Sequence, residues 1–262
     1  MAKTKQTRAF DIIGDIAIVE IPDEMKGKDH AIAERITANQ KNIKVVYKKV
    51  GGHEGRLRIQ KLKRIYGEKR TVTVHRENNV SLKLDVSKVY FSPRQATERQ
   101  RVYKQVKKGE QVLVMFSGIG PFTTSIAKNT VAKSVYGIEL NKTAHKFAVE
   151  NAKLNKVEGK IKLFCGDARK VVPKLRIKFD RIIMPLPKGA VSFLDLAFAA
   201  AKKGTVVHFY DFEKEQDIPD LAIAKVVTAA AAAKKKIRVL AVVKCGQLAV
   251  RAYRVCVDFK IL

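Results

Sequence analysis

A glycine turn followed by two carboxylates at ordered positions gives this chain its first recognisable chemistry. The apolar run 111-QVLVM-115 ends in 116-FSGIG-120, so glycines stand where a strand hands over to a helix. Lacking a Cβ, they let the backbone approach a ligand closely. Glu139 ends the next strand-like run, 134-SVYGIEL-140, and Asp167 ends the one after it, 161-IKLFCGD-167. A carboxylate in the first position accepts hydrogen bonds from both ribose hydroxyls of a nucleoside. One in the second can accept from an adenine amino group while the backbone beside it reads the ring. Helix capping is the alternative for each, since both precede helical stretches. The ordered pair after a glycine turn favours the nucleoside. Neither G-x-x-x-x-G-K-S/T nor G-x-G-x-x-G is present, which disfavours ATP and NAD. S-adenosylmethionine is the strong remaining candidate. The residues expected to meet it are Phe116, Ser117, Gly118, Gly120, Pro121, Phe122, Glu139, Leu140, Asp167 and Ala168.

The elements that must position these groups follow from periodicity. After Pro93, a polar helix over 95–108 leads into strand 111–115, helix 121–129, strand 134–140, helix 142–155, strand 161–167 and a short helix. Strand 179–184, helix 190–201, strand 204–212, helix 219–235 and strands 236–244 and 249–259 complete the chain. Strands alternating with helices mean βαβ units and a mostly parallel sheet. The last two strands lack a helix between them, so one is expected to be antiparallel. Before Pro93, a strand pair within 10–21, a helix over 28–41 and β-runs at 43–50, 56–67, 71–77 and 80–91 suggest a small mixed β domain. The expected fold is α/β, of the class I methyltransferase type with a Rossmann-like sheet. The expected domains are 1–92 and 93–262.

Composition narrows the partner. Lys and Arg number 53 against 25 Asp and Glu, a net charge of +28, and that field calls for a polyanion. Lysine enrichment in thermophiles brings glutamate with it, which is not the balance here. No run is long and apolar enough to span a membrane, and the start MAKTKQTRAF lacks a signal-peptide core, so a cytoplasmic site is the expectation. The three cysteines, Cys165, Cys245 and Cys256, are too scattered for a zinc site or a disulfide framework. No metal is expected. Cys245 and Cys256 flank a final hairpin and read as ordinary thiols.

The block 90-YFSPRQATERQR-101 beside 115-MFSGIGPF-122 makes a family visible. With 10-FDIIGDIAIVEIP-22, 55-GRLRIQKLKRIYGE-68, GIELN, GDAR and IMPLP, the chain resembles the archaeal and eukaryotic tRNA guanosine-37 N(1)-methyltransferases over nearly its whole length. That resemblance implies a β-rich domain joined to a methyltransferase domain, and a tRNA anticodon loop as partner of a monomeric enzyme. An extra N-terminal domain carried by many members is expected to be missing. It implies Glu98 as the general base that takes the proton from guanine N1, a weak acid. Arg58 would hold the guanine carbonyl oxygen and stabilise charge developing there. Tyr90, Arg94 and Arg99 would line the approach, with Tyr90, Arg99 and Pro187 also near the cofactor and Arg94 and Arg101 at the RNA. From spacing alone, Glu98 reads rather as a helix-surface partner of Arg94 or Arg101, and it is the resemblance that favours the base.

Two positions depart from the family pattern. Val114 stands where members often have Asp, which removes a polar group near the methionine end of the cofactor. Pro185, in 184-MPLP-187, replaces the Asn that grips the target base. Members with Pro there resemble an archaeal variant that methylates carbon 7 of 4-demethylwyosine in tRNA(Phe), during wyosine-derivative biosynthesis. An apolar rim leaves room for a larger tricyclic base. Pro185 is therefore a candidate substrate-determining residue. The alternatives are the aminocarboxypropyl transferase of the same pathway, which shares the fold, and a non-catalytic basic RNA-binding protein.

Overall fold

A computed structural model describes residues 10–262, which fall into two compact units. The first comprises residues up to 77 together with 81–94, and the second 78–80 with 95–262.

In the first unit, β1 (Phe10–Ile13) and β2 (Ile16–Val19) form an antiparallel hairpin. Its turn requires glycine. Gly14 has φ +58°, and a Cβ there would lie 2.2 Å from Thr73 Oγ1. The helix α1 (Asp29–Asn39) is the crossover that lets β3 (Val45–Glu54) pair parallel to β2. The antiparallel β4 (Ile59–Gly67) completes a sheet of order β1-β2-β3-β4. Strands β5 (Val72–Glu77) and β6 (Val80–Asp85) pair separately. Two expected runs are shorter than read. β4 starts at Ile59 because 55–58 form a turn in which Arg58 has φ +53°. β6 stops at Asp85 because its carboxylate accepts from Ser87 N–H (2.9 Å) and Ser87 Oγ–H (2.7 Å) and folds the chain over.

In the second unit, α2 (Ala96–Tyr103) precedes β7 (Gln111–Met115), α3 (Pro121–Asn129), β8 (Ser134–Glu139), α4 (Lys142–Leu154) and β9 (Ile161–Cys165). Then come α5 (Ala168–Leu175), β10 (Phe179–Met184), α6 (Leu194–Ala200), β11 (Ala201–Lys214), α7 (Asp220–Ala232), β12 (Ile237–Ala249) and β13 (Ala252–Ile261). The expected helix over 95–108 ends at Tyr103, where the chain turns toward β7 through Gly109 at φ +80°. The sheet order is β12-β13-β11-β10-β7-β8-β9. Strands β9 to β11 run parallel, and β13 inserts antiparallel between β11 and β12.

The strands are buried on both faces and sort their side chains by parity. Leu113, Met115, Ile182, Met184, Val207 and Phe209 pack with α5, α6 and α7. Val112, Val114, Ile183, Tyr210 and Cys256 pack with α2, α3 and α4. β7 and β10 are neighbours and the chain winds away from them in opposite directions, so their carboxyl ends are the topological switch point of the sheet. Open α/β sheets bind ligands at such a switch point.

Candidate active site

The turn after β7 lies at that switch point. Phe116 has φ +58°, a left-handed conformation that costs a non-glycine residue about 1–3 kcal/mol. Gly118 and Gly120 follow at +59° and +86°. The end of β8 braces the turn from beside it. Ser117 N–H donates to Ile138 O (2.8 Å), Gly118 N–H to Glu139 Oε2 (2.7 Å), and Gly166 N–H to Glu139 O (2.8 Å). Glu139 also accepts from Asn141 N–H at Oε1 (2.7 Å). It does not cap α4. Asn141 does that, with its side chain accepting from Thr143 and Ala144 N–H. Burial raises the Glu139 carboxyl from its ordinary range, and the N–H groups of Asn141, Gly118 and Leu140 offset part of that. Two carboxylate oxygens offer about four acceptor positions, more than these three backbone donors use.

The turn fits a nucleoside cofactor on a separate ground. Ser117 is 4% exposed, and its Oγ is buried with no hydrogen-bond partner among the described residues. An orphaned buried hydroxyl costs about 1–3 kcal/mol and is relieved by a polar ligand. Pro121 and Phe122 open α3 with Gly120 as its cap, so no side chain satisfies the first-turn N–H groups.

Asp167 is placed differently from Glu139. Its side chain accepts from Arg169 N–H (3.0 Å) and caps α5, with Ala168 buried as the first helical residue. The capping alternative therefore describes Asp167 and not Glu139. Beyond β10, Pro185 and Leu186 are half-buried and Pro187 is buried, with Leu186 N–H donating to Met184 O (2.8 Å). The chain continues to Phe193, whose ring meets Phe116 edge-on (4.9 Å) and carries the Arg169 guanidinium at 4.8 Å. Sequence reading missed Phe193, because only the return of the chain after β10 brings it to the turn.

Glu98 sits on the buried side of α2 and is 4% exposed. Arg101, one turn on, grips it with both arms (Nε to Oε2, 2.7 Å; NH2 to Oε1, 2.8 Å). Tyr210 O–H donates to Oε1 at 2.6 Å. Arg101 was expected at the RNA and is instead committed inward, because Asp258 holds its other edge (2.5 and 3.2 Å). The fork geometry of guanidinium suits two carboxylates at once. Arg99 is 3% exposed and also lies within the unit.

The remaining expected residues belong to the first unit. The Arg58 guanidinium lies 4.5 Å over the Tyr90 ring. Both line a cleft with Asp11, Lys49, Gln60 and Phe91. Arg94 is half-exposed and bonds Asp11 (2.6 Å).

With this geometry described, comparison with known proteins becomes informative. The TRM5/TYW2 methyltransferase domain matches residues 73–240, and the TYW2 N-terminal domain matches 3–71. The chain belongs to the TRM5/TYW2 methyltransferase family. It is 43% identical, over 97% of its length, to tRNA (guanine(37)-N(1))-methyltransferase Trm5b of Pyrococcus abyssi, and spans 74% of that protein. It is 32% identical to tRNA (guanine(37)-N(1))/4-demethylwyosine(37)-methyltransferase Taw22 of Nanoarchaeum equitans, over 97% of this chain and all of that one. Among solved structures it resembles aTrm5 in complex with tRNALeu (TM-score 0.87, 34% identity, covering 98% of this chain and 73% of that one). It also resembles Methanocaldococcus jannaschii TYW2 in complex with AdoMet (TM-score 0.74, 28% identity, covering 97% and 100%).

Behind Glu98, this TRM5/TYW2 chain carries a polar network that sequence reading did not anticipate. Register places His208 opposite Asp258 and Tyr210 opposite Cys256, all on the α2 face. His208 Nδ1 lies 2.6 Å from Asp258 Oδ1, and Arg181 NH1 lies 2.7 Å from His208 Nε2. Arg181 in turn holds Glu110 with two bonds (2.8 and 3.1 Å) and donates to Gln105 O. Carboxylates only accept and guanidinium only donates, so His208 is the neutral Nδ1–H tautomer. His208, Cys256 and Asp258 offer three donor atoms within 4.8 Å. Arg101 and Arg181 flank that group, and their charges oppose a cation there. Burial pushes the Cys256 thiol well up and Cys245 to about 12, so neither is a nucleophile near neutrality.

This network predicts acid lability. Burial holds the His208 imidazole below its ordinary value, only partly offset by Asp258. Burial pushes Asp258 upward, but the hydrogen bonds from His208 and Arg101 and the Arg101 charge outweigh it and hold the carboxyl low. Both folded values are depressed, so the stability they give is present above the unfolded values, about 6.5 and 3.9, and is lost as pH falls. The urea midpoint is expected to drop as pH falls from about 7 to about 5, and to drop less in His208→Gln. Equal slopes in the two proteins would exclude His208 as the source.

Proposed function

We propose that this chain uses S-adenosylmethionine to methylate the position-37 nucleotide of tRNA(Phe). The target is guanosine N1, carbon 7 of 4-demethylwyosine, or both. The Glu139-braced glycine turn carries the cofactor part of this reading, because it leaves acceptor capacity and an orphaned serine hydroxyl at the switch point. Pro185, half-buried at the end of β10, carries the substrate part. The similar Taw22, named for both substrates, supports keeping the two together. Family members of known structure bound to tRNALeu and to AdoMet support the ligand classes.

Bound at the turn, S-adenosylmethionine supplies an activated methyl group. The protein's own residues do the rest. Glu139 accepts from the ribose hydroxyls, and Ser117 and the turn backbone seat the nucleoside. Phe116 and Phe193 wall the site. Glu98 takes the proton that leaves guanine N1 and holds it as the carboxylic acid. Arg58 supports charge on the guanine carbonyl oxygen. The target lies in an anticodon loop and must be splayed out of its stack. A net charge of +28 makes binding strongly salt-dependent. We place the enzyme in the cytoplasm, working as a monomer. Among the described residues no helix is long and apolar enough to cross a membrane.

The test is a paired assay with labelled cofactor on tRNA(Phe) bearing guanosine or 4-demethylwyosine, read by nucleoside mass. A gain of one methyl group on either supports the proposal. An aminocarboxypropyl gain, or no transfer to either, ends it. Glu139→Ala is expected to weaken cofactor binding about 10- to 100-fold by calorimetry while leaving tRNA affinity unchanged. Unaltered cofactor affinity would remove Glu139 from the site.

A further inference from the structure

Glu98 lies among ionisable groups drawn from three elements. Arg101 reaches it from its own helix, Tyr210 comes from β11, and Cys256 and Asp258 line the adjoining strand β13. The bonds on its two oxygens are unequal. Oε1 receives Tyr210 O–H and Arg101 NH2–H, which uses both of its lone pairs. Among the described residues Oε2 receives only Arg101 Nε–H, so it retains a lone pair. Arg101 is itself fixed by Asp258, whose Oδ1 also meets His208 Nδ1, and the tautomer of His208 is set by Arg181.

We propose that Tyr210 is the positioning residue of the methyl-transfer site, locking the Glu98 carboxylate so that Oε2 is the oxygen that accepts the substrate proton. This rests on the reading of Glu98 as the base. Two fixed donors on Oε1 and a bidentate Arg101 leave the carboxyl plane no rotation. A base held in one orientation avoids the entropy of finding it at each turnover. Burial raises the Tyr210 phenol well above its ordinary value, so it stays protonated and donates throughout the working range. Arg101 and Asp258 act behind it, fixing the second edge of Glu98.

The experiment is a double-mutant cycle in the full-length protein, using single-turnover transfer to tRNA bearing guanosine-37. Tyr210→Phe keeps the ring and its tilted contact with Phe122 (6.2 Å) and removes only the hydroxyl. It is expected to lower the transfer rate about tenfold or more, with tRNA KM and cofactor Kd unchanged. In a Glu98→Gln background the same change is expected to cost nothing further, because its effect runs through the carboxylate. A wild-type rate in Tyr210→Phe would overturn the proposal. So would an equal loss in both backgrounds, or a loss matched by weaker ligand binding. If Glu98→Gln itself transfers at the wild-type rate, the base assignment fails, and that result is separate from the Tyr210 outcome. Should thermal melts show Tyr210→Phe unfolded, Arg101→Lys is read in the same cycle. It keeps the charge and loses the fork, and the same loss of rate confined to the Glu98 background is expected.

Discussion

Glu98→Gln is expected to lower the rate of guanosine methylation by about 10²–10⁴-fold, the range a positioned general base contributes. Cofactor affinity should not move, because the cofactor turn is braced by Glu139 and not by Glu98. Gln is the informative choice. Its amide oxygen still accepts from Tyr210 and its shape still fills the site, whereas Ala would leave Arg101 facing a void with one partner lost. Either change removes a carboxylate from a buried ion pair, which typically costs about 3–5 kcal/mol, and Arg101 then keeps only Asp258, so a thermal melt is read beside the rate to separate unfolding from chemistry. Rapid-quench transfer to tRNA bearing guanosine-37, with calorimetry for the cofactor, measures both quantities. A rate within a factor of about two of wild type would remove Glu98 from the chemistry, because no base of that kind contributes so little.

Pro185→Asn is expected to shift selectivity toward plain guanosine. The shift in the ratio of kcat/KM between guanosine and 4-demethylwyosine should be about 10- to 100-fold. A proline at the end of β10 has no N–H, and its side chain offers neither donor nor acceptor to a base edge. An apolar rim discriminates weakly between rings, while a hydrogen-bonding side chain rejects what cannot pair with it more sharply. The change is local. Pro185 is half-buried, and the loop is held independently by buried Pro187 and by the Leu186 N–H bond to Met184 O. Competition between the two tRNAs in one reaction gives the ratio directly. An unchanged ratio would mean that Pro185 does not choose the substrate, and Arg58 beside Tyr90 becomes the next residue to vary.

The α/β organisation was legible in the chain because its central strands are buried on both faces and read as continuous apolar runs. Glycines and carboxylates punctuate them at the ends where ligands bind. Val112 to Met115 and Ile182 to Met184 are fully buried, and Glu139 and Asp167 stand where those patterns stop. Element ends were less legible. The β6 run stops short because Asp85 folds back on Ser87, a side-chain turn with no periodic signature.

The candidate cofactor carboxylate and the candidate base were named from motifs, but their environments were not in them. Spacing left Glu139 and Asp167 equally open to capping roles. Only the structure separates them, because Asn141 takes the α4 cap and frees Glu139 to brace the turn, while Asp167 caps α5 itself. The pair Glu98 and Arg101 follows from a helical interval of three, which local sequence carries. Tyr210 and Asp258 lie 112 and 157 residues away from their partners on that helix. Their strands show the trace of a site, since His208, Tyr210 and Asp258 are polar intrusions in otherwise apolar runs at alternate positions. A single strand cannot say which helix its intrusions will face. That is decided by sheet order, by the antiparallel register of β11 with β13, and by the packing of α2 on the same face as Tyr210. Composition and local pattern thus determined the fold class, the glycine turn and the polyanionic partner. Long-range packing alone decided that Glu98 is buried and held by Tyr210 as well as Arg101.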